Sequence, residues 1–206
     1  MRMCIFREKN MERKIFIFAG WLSIISALGG IVSLAAGIFL IFQQQQGIQT
    51  ALFVLSVLLV CVGIGMLAAL MKLLNSRLDF HGADTVITML IWTMVFAVAL
   101  SFADDYLTGY EAVLYLMSVL FGIVFGVLCV ILGSRLLKIA SRLSGPVRPV
   151  SYALIVSGVA HATVILEPAG MIVGCIVDVF LAIIFFRAAA ETVKNRHDSI
   201  VGLGLN

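Results

Sequence analysis

Two ionisable side chains stand inside otherwise apolar stretches of this chain, His161 and Asp178, with cysteines and tyrosines set aside. A charge at the centre of a bilayer costs at least ~2.5 kcal/mol even on the mildest scale, so such residues normally face protein or water and have a partner. Their spacing suggests one. Ala153, Ser157 and His161 lie four apart, and so do Gly170, Gly174, Asp178 and Ala182. On helices, each ionisable residue then sits on a ridge of small residues. With a turn centred near Pro168, positions whose numbers sum to 336 lie level. His161 and Asp178 are then offset by three residues, or about 4–5 Å of rise. Helical side chains lean toward their own N-terminus, which closes that gap. The expectation is an intramembrane polar pair of His161 and Asp178, with Ser157 as a third member.

Three uses compete for such a group. It can clasp two helices together. It can relay protons, because histidine is the side chain that exchanges them near neutral pH. It can bind a ligand or a partner. One His and one Asp are too few to hold a metal, and no metal or cofactor is expected. Ser157, His161 and Asp178 superficially suggest a serine hydrolase. However, Ser157 and His161 would share one helix, and no oxyanion-hole motif or GxSx context is present. No Walker A, GxGxxG or HExxH signature appears, so no catalytic residue is assigned and the chain is read as non-enzymatic. His81 lies in a charged loop with Arg77, Asp79 and Asp84, and His197 in the C-terminal tail, both away from the pair.

The elements that position these residues follow from apolar length. Apolar stretches run over Ile15–Phe42, Ala51–Met71, Thr85–Ala103, Ala112–Gly133, Val150–Leu166 and Ala169–Phe186. Crossing a bilayer core takes about 20 helical residues. The first stretch is long enough to tilt, and is expected to be retained because it is about twice a signal-peptide core. The fifth is short. The expected fold is all-α, a polytopic membrane protein of six transmembrane helices in one membrane domain. Its three hairpins span 15–71, 85–133 and 150–186, flanked by segments 1–14 and 187–206.

All 14 Lys and Arg fall in alternate gaps. The N-terminal segment holds Arg2, Arg7, Lys9, Arg13 and Lys14. Lys72 and Arg77 lie in the second gap, and Arg135, Lys138, Arg142 and Arg148 in the fourth. Arg187, Lys194 and Arg196 follow the last stretch. Basic loops resist translocation, so these ends and both termini are expected on the cytoplasmic side. The first, third and fifth gaps hold no base and are the outer turns. Tyr106, Tyr110 and Tyr115 are expected to anchor the outer boundary, and Tyr152 the inner one.

Residues 47–58 (GIQTALFVLSVL) and 109–120 (GYEAVLYLMSVL) match at five of twelve positions, which a hairpin repeat and a chance likeness of apolar segments explain equally well. Helices in lipid associate through small residues. The expected packing faces are Gly20, Ala27 and Gly30 in the first span, and Ser118, Gly122 and Gly126 in the fourth. Gly170 and Gly174 serve the sixth. The same stripes could seat a second copy or another membrane protein.

Composition agrees with the bilayer as solvent. Of the residues, 62% are hydrophobic and 12% charged, against about 25% charged in a soluble domain. The net charge of +3 follows from the basic inner loops and is no nucleic-acid signature. Cys4, Cys61, Cys129 and Cys175 form no CxxC, and no disulfide is expected. The tandem hairpins, with glycine-containing outer turns and a proline in the last (LEPAGMIV), resemble in layout the small six-span bacterial acid-resistance membrane proteins. That resemblance implies the bacterial cytoplasmic (inner) membrane and a link to envelope stress. It rests on layout, so no residue role is carried over. The leading expectation is a structural or accessory membrane protein. Its rival is a small proton-coupled transporter or channel using His161 and Asp178.

Overall fold

The computed structural model describes the backbone of residues 2–42, 46–106, 109–140, 146–163 and 166–201. Six α-helices and one short 3₁₀ turn, His81–Ala83, account for nearly all of them, and no strand occurs among the described residues. The helices are α1 (Arg2–Phe42), α2 (Gln46–Leu78), α3 (Asp84–Tyr106), α4 (Glu111–Ile139), α5 (Val147–Ala162) and α6 (Glu167–Val201). Five are long and apolar enough to cross a bilayer, over Met11–Phe39, Thr50–Leu78, His81–Ala103, Ala112–Ile139 and Pro168–Thr192. The chain is thus an all-α integral membrane protein. The remaining helix, α5, has 16 residues, about 24 Å of rise against a core of about 30 Å.

Helix ends differ from the apolar limits for local reasons. α5 starts at Val147 rather than Val150 and takes Pro149 into its first turn, where backbone N–H groups have no intrahelical partner to lose. α6 starts at Glu167 with Pro168 at its second residue, on the same logic. The first and last helices also run beyond the hydrocarbon length, through the basic segments expected to flank them. Residues 43–45, 107–108 and 141–145, within the expected gaps, lie outside the described residues.

Two turns show why their residues are there. Asp79 adopts a left-handed φ of 50°, and the amide of Phe80 donates to Leu74 O at 3.3 Å. This bond folds the chain back onto the last turn of α2, with Asp79 in the left-handed place that glycine usually takes. Gly109, with φ of 99°, turns the chain from α3 into α4, a conformation open to residues without a Cβ.

Each helix packs on its neighbours in sequence, and α1 packs extensively on α6, so the three hairpins close into a ring. The most extensive seams join different hairpins, α4 with α5 and α1 with α6. Small residues make both. A Cβ on Gly158 would lie 2.5 Å from Gly126 O, and one on Gly133 would lie 2.7 Å from Ser151 O, so α4 and α5 meet backbone to backbone. Likewise Cβ atoms on Gly20 and Gly30 would meet Phe186 and Cys175 of α6, both at 2.8 Å.

The apolar core occupies one end of this ring. It includes Phe16, Leu73, Leu74, Ile87, Leu90, Leu132, Leu136, Val150, Leu181 and Phe185. These belong to the ends of the helices nearest the basic loops. In the other half, residues 28–39, 50–62, 94–103 and 112–125 include none that is buried.

Candidate functional site

Ser157 and His161 on one side and Asp178 on the other occupy two separate seams of α6. On the α5 side, the Ser157 hydroxyl donates to Gly170 O at 3.0 Å, bridging the last hairpin. His161 Nδ1 lies 2.8 Å from Ser157 O and 3.4 Å from Ser157 Oγ. A carbonyl only accepts, so Nδ1 carries the proton and Nε2 is turned away from this contact. The ring meets the edge of Phe125 from α4, with centroids 5.6 Å apart. Gly170 makes room for it, since a Cβ there would sit 2.6 Å from Nδ1.

On the α1 side, Asp178 lies beside the hydroxyl of Ser26, and Cys175 is its neighbour on its own helix. No hydrogen bond joins His161 to Asp178 among the described residues. Register and twist explain the separation. With α6 starting at Glu167, Gly170 lies level with His161 and Gly174 with Ser157. Position sums are therefore near 331 (161 + 170 and 157 + 174), not the 336 expected from a turn at Pro168. Asp178 is eight residues beyond Gly170, about 12 Å along the axis. A ridge of every fourth residue also turns about 40° per step, because 3.6 residues complete a turn. Two steps swing Asp178 about 80° away from α5, toward α1.

The expected packing residues fall into two groups. Gly20, Ala27 and Gly30 line the α1 face toward α6, Gly126 meets α5, and Gly170 and Gly174 face α5. Ser118 and Gly122 lie beyond the packed region. Ser118 is exposed, and a Cβ on Gly122 meets nothing within 4 Å. α5 is too short to reach them: Gly126 already touches Ala162, its last residue.

A second polar network, at the basic end, ties loops to helices. Arg77 of α2 donates to Ala188 O at 3.2 Å and to Thr192 Oγ1 of α6. Arg135 of α4 donates to Gly82 O in the 3₁₀ turn. Asn75 Nδ2 and His81 Nδ1 each lie 3.1 Å from Asp84 Oδ2, and His81 Nε2 is 3.5 Å from Asp79.

Ser26, Phe125, Gly133 and Gly158 were not singled out from sequence. Gly133 and Gly158 could have been: each lies seven residues from Gly126 or Ser151, the heptad spacing of a helix seam. Ser26 carried no such signal. Among the described residues, no group of three or more His, Cys, Asp and Glu is placed to hold a metal. No protein-family model, curated protein or solved structure matches the chain.

Proposed function

We propose that this chain is a non-enzymatic membrane protein with a structural or accessory role, a helix ring that presents a constant surface to lipid or to a membrane partner. The observation that supports it most is how the buried polar groups are spent. Ser157 ties α5 to α6, Asp178 meets Ser26 of α1, and Arg77 ties α2 to α6. Each joins two helices at its own seam. The positive-inside pattern supports cytoplasmic termini, and the layout resemblance supports a bacterial inner membrane and envelope stress. Reporter fusions at residues 46, 107 and 206 should read outside, outside and inside, and an outside C-terminus would overturn this orientation.

The experiment that tests the role compares stability with flux. His161→Ala and Asp178→Asn should lower thermal stability in lipid and leave proton flux into vesicles at the level of protein-free controls. The second reading is a small proton-coupled transporter or channel. It is favoured by one feature, the absence of any cationic partner for Asp178 among the described residues. A variant that folds normally yet loses a pH-dependent flux shown by the wild type would establish that reading and sink the first.

A further inference from the structure

Asp178 sits eleven residues into α6, about 16 Å from its outer start. It marks the outer edge of the packed core. Val177 and Leu181 beside it are core residues, whereas of the described side chains of α6 outward of it only Gly170 and Val177 are buried. Around the helix it lies between the face toward α5 (Gly170, Gly174) and the face toward α1 (Cys175, Phe186). The lipid-facing residues Ile172, Ile176, Val179 and Ile183 are on the opposite side. Asp178 therefore looks into the ring.

The groups facing it are few. α1 offers the Ser26 hydroxyl. The nearest described ionisable residue of α1 is Lys14, twelve positions inward or about 18 Å. α5 offers His161, about 12 Å outward along the axis and turned onto its own backbone. α6 offers the Cys175 thiol. With no cation beside it among the described residues and one hydroxyl nearby, a carboxylate in hydrocarbon is poorly compensated. Binding a proton removes that charge.

We propose that Asp178 is an intramembrane proton-binding carboxyl, set at the outer edge of the packed core between α1 and α5. This holds whether or not the chain is a scaffold. It assigns to Asp178 alone what the sequence would divide between Asp178 and His161.

A hydrophobic carbodiimide tests it on the full chain in lipid vesicles. The protonated carboxyl adds across one C=N bond of the reagent: its oxygen bonds to the central carbon, its proton passes to a nitrogen, and nothing leaves. Dicyclohexylcarbodiimide should modify Asp178, located by peptide mass spectrometry. The rate should fall about tenfold per pH unit once the carboxyl is ionised. Asp178→Asn should lose the adduct, and Asp178→Glu should keep it. His161→Ala should keep it with the same pH profile. No adduct on Asp178 would overturn the proposal, as would a rate independent of pH. Equal modification by a water-soluble carbodiimide would also overturn it, since that would mark a carboxyl standing in bulk water.

Discussion

The two halves of the ring are built from similar residues and packed quite differently. At the end nearest the basic loops, apolar side chains from all six helices interlock, Arg77 ties α2 to α6 and Arg135 ties α4 to the 3₁₀ turn. In the other half, α1 to α4 carry the same kinds of side chain without burying any described residue. The difference shows how little hydrophobicity says about contact in a bilayer. Lipid tails are as apolar as leucine, so burial needs a shape that fits, and small residues supply the fit. Where Gly126, Gly133 and Gly158 let backbones touch, helices pack. Where the same kind of ridge continues as Gly122 and Ser118 with no helix opposite, it stays open.

That contrast can be broken by making one substitution twice. Gly126→Leu would drive a side chain into the backbone of Gly158 and Ala162. It should cost about 3 kcal/mol, the upper range for overpacking. Gly122→Leu, one turn outward in open space, should cost close to nothing. Unfolding by SDS titration, followed by circular dichroism, measures both. Equal losses would mean that α4 is packed along its whole length. Next in size is Arg77→Ala, which removes a charged donor from Ala188 O and Thr192. About 2 kcal/mol is expected by the same titration. Ser157→Ala releases Gly170 O and should cost about 1 kcal/mol, in the range for interhelical hydrogen bonds in lipid. Ser118→Ala should be silent, and a measurable loss there would reveal a partner on the open half.

Much of this was legible in the sequence. Length and hydropathy give the helices, and the charges give the ends that face the same way. The ridges of α1 and α6 at Gly20, Gly30, Gly170 and Gly174 fall on real seams. What was not legible depended on register and closure. Proline reads as a boundary, yet Pro149 and Pro168 sit inside first turns. That shifted the last hairpin by about five in its position sum and separated His161 from Asp178. Nor does a sequence of hairpins reveal that α1 returns to meet α6, so Ser26 could not be named as the neighbour of Asp178. The reach of a ridge is equally hidden: Ser118 and Gly122 look like Gly126 until the length of α5 is known.

The central claim is that the ring is held most firmly at its basic end and packed more loosely in its other half. Double electron–electron resonance in lipid nanodiscs measures this directly, with the native cysteines replaced and spin labels placed in pairs. One pair, at Lys72 and Lys138, reports the basic end. The other, at Ile38 and Leu116, reports the opposite one. Helices whose side chains are buried hold a single spacing, and helices that meet through half-exposed contacts such as Phe53 with Phe102 and Phe96 with Phe121 sample more. A narrow distance distribution for the first pair and a broad one for the second is the predicted result; two equally narrow distributions would contradict it.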